Sequence, residues 1–207
     1  MVSSLLKQLF AIALLWFATG PAVRAQISLT GHVGLGVNSV RQSHFLGDVD
    51  PFLSPMVGGG VLGAFGKYFG CHLSGGATMG GYYHQVGDLQ TTLHLYQFSA
   101  VGRLYVRPLR RLRLTLGPSA TWLLRARHRQ RGRWHPVGES YREITFGGEV
   151  GAWWELLPEL SAFVKYRQDL QPAIAIRRVN ADGSLTSVTD GYLYAVQVGV
   201  LVKLALN

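Results

Sequence analysis

Along the last stretch of the chain, Tyr192, Tyr194, Val196, Val198, Val200, Val202, Leu204 and Leu206 alternate with Leu193, Ala195, Gln197, Gly199, Leu201, Lys203, Ala205 and Asn207. A period of two sustained over that length specifies an extended strand with one apolar face, opposite a face that carries Gln, Gly and Lys. The run is far longer than the usual strand of about five or six residues. Aromatics at one end and aliphatics along one face suit a strand that crosses a membrane within a closed sheet.

The start of the chain agrees. Met1 to Gln8 is weakly basic through Lys7, and Leu9 to Phe17 is uninterrupted apolar sequence. Thr19, Gly20 and Pro21 then break the helix before Val23-Arg24-Ala25. That order predicts a cleavable signal peptide over 1–25 and a barrel domain over 26–207. The apolar core is well short of the roughly 20 residues that span a bilayer as a helix. No cysteine follows the cleavage site, so a lipid anchor is not expected there.

Composition narrows the class. Hydrophobic residues make up 48% of the chain and charged residues only 15%, with 26 glycines and one cysteine, Cys71. No second long apolar run exists to serve as a membrane helix, so an apolar surface must come from strands, which use glycine where they bend or pack closely. A single cysteine excludes an internal disulfide framework. The formal charge of +9 falls to +7 once Lys7 and Arg24 leave with the signal. For an exported chain the natural counter-charge is lipopolysaccharide and other outer-membrane lipid headgroups rather than nucleic acid.

The alternation recurs through the chain. Ile27, Leu29, Val33, Leu35 and Val37 oppose Ser28, Thr30, His32, Gly34, Gly36 and Asn38 in a first strand. A loop is expected over Arg41 to Pro55, where Asp48 and Asp50 read as turn chemistry. Glycine obscures the facing of a second strand, Val57 to Tyr68, and a tight turn is expected at Phe69-Gly70. Strands follow over His72–His84, Thr91–Val106, Arg111–Arg125, Tyr141–Trp154, from Leu160, and to the chain end. Turns near 70, 108 and 157 then share one side with both termini, and loops near 48, 88, 132 and 182 lie on the other. A soluble eight-stranded barrel would need a charged outer face. The polar faces here hold glycine, threonine and scattered charges instead. The predicted fold is all-β, an eight-stranded antiparallel up-and-down transmembrane barrel.

With its signal sequence, eight alternating strands and glycine-rich segments such as Val57-Gly-Gly-Gly-Val-Leu-Gly-Ala-Phe-Gly, the chain resembles the small outer-membrane β-barrel families. The PorT-like and OmpX/OmpA-like barrel domains are the nearest of them. The resemblance implies an integral protein of a Gram-negative outer membrane with periplasmic termini, binding no cofactor. One departure is the end, Leu204-Ala205-Leu206-Asn207, which lacks the terminal aromatic common in that class.

Eight strands leave an interior just wide enough for side chains to fill. On the polar faces, His32, Gln97, Arg103, Arg113, Glu149, Lys165, Arg167, Gln197 and Lys203 are therefore expected to form a lumen network, since buried charges must be paired or hydrated. Inward cations outnumber inward acids on that facing, so a narrow anion-favouring water path is the alternative use.

Catalysis has one candidate element. His72-Leu73-Ser74 resembles the His-x-Ser element of outer-membrane lipid A deacylases, with residues 72 and 74 on one face, so a base and a nucleophile could meet. No carboxylate stands where it could orient His72, and the pair lies beside a periplasmic turn. A non-enzymatic role is the expectation.

The densest charge is Arg125, Arg127, Arg129, Arg131 and Arg133, whose alternation predicts one basic face on an extended hairpin centred near Arg131-Gly132. Arginine binds phosphate in a bidentate manner. The hairpin is therefore a candidate clamp for lipopolysaccharide or another anionic surface ligand. The last hairpin, Gln171 to Asp190, offers a sheet edge that could recruit a partner strand, as in an accessory subunit of an envelope complex.

Overall fold

The computed structural model describes residues 26–42, 48–86, 89–130, 133–136, 141–179 and 185–205. The segment predicted to be a signal peptide and the hairpin tips at Gly87-Asp88, Arg131-Gly132 and Asn180–Gly183 lie outside the described residues. Among the described residues there are ten strands: β1 Gln26–Gln42, β2 Asp48–Phe65, β3 Phe69–Val86, β4 Leu89–Leu109, β5 Leu112–Gln130, β6 Arg133–Pro136, β7 Ile144–Glu155, β8 Leu160–Asp169, β9 Ile174–Val179 and β10 Leu185–Ala205.

Eight of them form the barrel, in the order β1-β2-β3-β4-β5-β7-β8-β10, and β1 pairs with β10 to close it. Every pairing is antiparallel. The short strands β6 and β9 pair with the far ends of β5 and β10 and extend the sheet beyond the barrel wall. The turns between β2 and β3, β4 and β5, and β7 and β8 lie at one end with Gln26 and Ala205. That end is called the turn end here and the other the loop end.

Facing follows the alternation. Leu29, Val33, Leu35 and Val37 of β1 are exposed, as are Val196, Val198, Val200 and Val202 of β10, while Ser28, Thr30, His32 and Asn38 are buried. On β2 the glycines that obscured the sequence pattern resolve into Leu53, Val57 and Val61 outward against Ser54, Met56 and Leu62 inward. Between the two ends, the outward positions of the described barrel residues carry no Asp, Glu, Lys or Arg. Exposed Tyr83, Tyr96, Trp122 and Tyr166 ring the loop end of this apolar band, and Tyr68, Phe69 and Trp154 ring the turn end. Such a band suits hydrocarbon, with aromatic belts at its interfaces.

Several boundaries differ from those expected. Residues 48–55, read as loop, belong to β2. Pro51 and Pro55 are tolerated there because the ladder slips between Pro51↔Tyr82 and Met56↔Thr78, with five steps on β2 against four on β3. A bulge of this kind relieves the strand of pairing where proline has no N–H to give. The first turn is Gly66–Tyr68 and not Phe69-Gly70. Its Gly66 has φ +77°, a left-handed conformation open chiefly to glycine, whereas Phe69 already pairs with Phe65. The next turn sits at Arg110-Arg111, past Pro108, and β5 runs on to Gln130. β7 starts at Ile144 rather than Tyr141.

A charge in the middle of the outward band tests its contact with lipid. Leu116→Arg should lower folding stability in bilayers by about 2–4 kcal/mol, read from the urea midpoint of the refolded barrel. An unchanged midpoint would contradict a lipid-facing β5.

Candidate functional site: the closed lumen and the basic outer hairpin

The inward faces change character with height. From the turn end, β4 presents Tyr105, Arg103, Val101, Ser99, Gln97, Leu95 and Leu93, all buried. β8 presents Phe163, Lys165, Arg167 and Asp169, and β10 presents Leu201, Gln197, Ala195 and Leu193. Neighbouring strands thus stack apolar on apolar and polar on polar. Leu62, Tyr105, Trp153, Phe163 and Leu201 pack together toward the turn end, joined by Met56. Val40, Tyr82, Leu93, Leu95, Ala173 and Leu193 pack together at the loop end, against Leu123, Ala126 and Tyr141. Tyr82 and Tyr141 add a hydroxyl contact of 3.3 Å across that upper cluster.

Arg103 is the hub of the polar layer between them. Its Nε donates to Glu149 at 2.5 Å, and its Nη1 donates to Ser74 Oγ at 2.5 Å and to His72 Nδ1 at 3.1 Å. Because Nδ1 accepts, the proton of His72 sits on Nε2 and is donated to Thr30 Oγ1 at 2.8 Å. The side chain of Arg167 donates to Ser99 and, at 3.4 Å, to Gln97 Oε1, while Thr145 donates to Asp169 at 2.9 Å. Lys165 lies over the Phe163 ring, 4.3 Å from its centroid. Gln197 is buried directly opposite Lys165 in the ladder. His32 is also buried, edge-on to Phe163 at 6.2 Å, with no hydrogen-bond partner for its Nδ1.

Two of the nine residues assigned to the lumen by sequence stand apart from this layer. Arg113 lies nearer the turn end, 3.5 Å from Glu155 and 5.5 Å from the Tyr105 ring. Lys203 is half-buried close to the turn-end rim, where its backbone N–H donates to Glu159 at 2.7 Å. The structure also brings in residues that the reading of the lumen omitted: Thr30, His72, Ser74, Thr145 and Asp169. Parity would have found Asp169, which follows Lys165 and Arg167 at the same spacing of two. His72 and Ser74 do share an inward face, and both bond to the Arg103 guanidinium.

The basic hairpin has a different geometry. The β4–β5 ladder pairs Gln97 with Leu123 and then Tyr96 with Arg125, leaving Leu124 as the extra residue. Leu124 and Arg125 are consequently both exposed. Above this bulge Arg125 pairs with Tyr96, Arg127 with His94 and Arg129 with Thr92, so all three arginines continue the outward side of β4. The expectation of one five-arginine face needs correction at Arg133. Gln130 pairs with Arg133 and Arg129 with Trp134, so a two-residue tip reverses the parity and puts Arg133 on the opposite side from Arg129. Arg131 lies outside the described residues. Arg129 lies over the Trp134 ring at 5.9 Å, and His94 stacks edge-on against Trp134 at 4.7 Å. His94 in turn meets Phe52 at 5.0 Å, and Phe52 meets Tyr83 at 5.5 Å. This aromatic ladder holds the hairpin against β2, β3 and β4.

No protein-family model and no curated protein matches the chain. Solved outer-membrane barrels do match it in shape. Neisserial surface protein A is 14% identical, with a TM-score of 0.54 over 84% of this chain and 96% of that one. Ail, the attachment invasion locus protein of Yersinia pestis, is 12% identical, with a TM-score of 0.50 over 86% of this chain and 98% of that one. In fold the chain is a closed eight-stranded antiparallel β-barrel, the architecture of these outer-membrane proteins. The likeness, at such low identity, concerns the fold alone and extends to neither a PorT-like nor an OmpX-like family.

Removing one partner from a buried ion pair strands the other charge. Glu149→Gln should therefore cost about 3–5 kcal/mol, measured as the loss of urea resistance in the folded barrel. Replacing the pair together, as Arg103→Met with Glu149→Leu, should recover most of that loss. Equal losses in the single and double variants would show that the pair does not act as a unit.

Proposed function

We propose that the protein is a non-enzymatic barrel of the Gram-negative outer membrane, with periplasmic termini, that binds phosphate-bearing lipopolysaccharide headgroups at its outer rim. The observation that carries this reading is the placement of Arg125, Arg127 and Arg129. They follow Trp122 and Leu124 on the outward side of the sheet, directly above the aromatic belt. A lipid held against β4 and β5 by its chains has its phosphates at that height, where guanidinium groups donate in pairs to phosphate oxygens. Bonding of Arg129 over Trp134 supports a pre-set orientation, which limits the entropy lost on binding.

The filled lumen supports a role at the surface rather than through it. Among the described residues, two apolar clusters bracket the polar layer. A deacylase role is disfavoured because His72 Nδ1 accepts from Arg103 and is unavailable as a base toward Ser74, itself engaged by the same guanidinium. A role as an accessory subunit of an envelope complex has one supporting observation, namely that β9 pairs only with β10 among the described residues and presents a free edge.

Lipopolysaccharide binding to the folded barrel in detergent, followed by native mass spectrometry and titration, tests the reading. Replacing Arg125, Arg127 and Arg129 by serine should weaken binding at least about tenfold, which corresponds to roughly 1.4 kcal/mol, and should flatten its salt dependence. Arg133→Ser should have a much smaller effect. Undiminished binding by the triple variant would remove the proposal. Planar-bilayer recordings of the unmodified barrel should show no steady conductance.

A further inference from the structure

The polar layer between the apolar clusters does not balance its own charge. It contains the cations Arg103, Lys165 and Arg167 and the carboxylates Glu149 and Asp169, all buried. Three positive groups against two negative leave one positive charge in excess. Arg113 is outside this sum, because it lies nearer the turn end, where it shares Glu155 with Arg107. Within the layer Glu149 is committed to Arg103. Asp169 takes the Thr145 hydroxyl and stands two residues along β8 from Arg167.

Lys165 is the group left over. Among the described residues no carboxylate lies within ion-pair distance of its ammonium, which has the Phe163 ring on one side. Lys165 also lines a cavity of about 20 Å³, together with Arg103, Arg167, Gln197, Ser74 and Ser99. Glu149 and His32 reach the same space, and Glu149 is already neutralised by Arg103. A single water-sized guest needs about 10–15 Å³. The cavity therefore admits a monatomic guest and excludes sulfate, phosphate and carboxylates. Met56 and Val101 supply apolar lining, and apart from Glu149 the polar groups that reach the cavity are chiefly N–H and O–H donors; an isolated buried cation is unfavourable unless a counter-charge accompanies it.

We propose that this cavity is a binding site for a captive monatomic anion of the halide class, held against Lys165 and enclosed by donors from β3, β4, β8 and β10. The ion is taken up as the barrel closes and is retained because the apolar clusters above and below obstruct its exit. It completes the charge balance of the lumen and so belongs to the folded state as an integral ligand. This site is separate from the arginines of the outer hairpin and does not depend on what they bind.

Bromide is the probe. The full barrel, refolded and crystallised with sodium bromide as the sole halide, should give an anomalous peak in the cavity, in contact with Lys165 Nζ. Lys165→Met retains the length of the side chain without its charge and should lose that peak. A cavity without anomalous signal in the unmodified protein would overturn the proposal, as would a peak of equal height in Lys165→Met. Urea unfolding supplies a readout that needs no crystals of the variant. The unmodified barrel should show a higher midpoint in bromide than in gluconate at equal ionic strength, and Lys165→Met should show the same midpoint in both. Equal midpoints for the unmodified protein would count against the site.

Discussion

Closure of β1 onto β10 is the constraint on which everything else depends. In hydrocarbon no water is available to satisfy a free backbone N–H or C=O, so a sheet that crosses a bilayer has to end on itself. The ladder from Ser28↔Ala205 to Gln42↔Gly191 does this along nearly all of β1 and the barrel portion of β10. Gly34 and Gly199 face each other in that seam, and a Cβ on Gly199 would stand 2.3 Å from the Val33 carbonyl and 2.7 Å from the Phe163 ring. The seam and the packing of the lumen thus meet at one glycine pair. Closing eight strands also fixes the interior volume, and from that follows the need to fill it with side chains.

What fills it is set by parity. Each inward residue is a neighbour of an outward residue that must be apolar, so the polar content of the chain is forced into the lumen or beyond the membrane. That pressure explains why charged groups are buried in a protein with few of them. Buried ion pairs contribute little to stability on balance, since desolvation offsets much of the attraction. Arg103 is accommodated because one guanidinium meets three partners on β3 and β7, linking strands that do not neighbour each other. The pair therefore fixes the arrangement of the lumen more than it deepens the energy minimum.

The alternation of two made the outward and inward faces of seven strands legible, because side-chain direction in a strand depends only on residue parity. Positions where parity is broken were not legible. The bulge in β2 beside Pro51 and Pro55 hid residues 48–55, the first eight of that strand, and Gly66 hid a turn by resembling the glycines around it. Phe69 reads as part of a turn only if the ladder is unknown. The lumen list came from the same alternation and so captured Lys165 and Arg167, yet it stopped short of Asp169. His72 and Ser74 looked like chemistry because their partner, Arg103, is 31 residues away in the chain for His72 and 29 for Ser74. Pairing across strands is tertiary information that a local pattern does not hold.

Strand parity also decides the facing of the outer hairpin. An alternating Arg-x-Arg series presents one face only while the strand continues. Once the chain reverses through a two-residue tip, partners that face each other have residue numbers of opposite parity, as Gln130 and Arg133 do. Residues 125, 127 and 129 therefore share a side that residue 133 leaves. The bulge at Leu124 has the complementary effect. Without it Arg125 would inherit the inward parity of Leu123 and point toward the lumen. One extra residue turns the series outward as it leaves the apolar band, so that β5 delivers its arginines to the level of lipid headgroups. The bulge, more than the number of arginines, gives the rim its basic face.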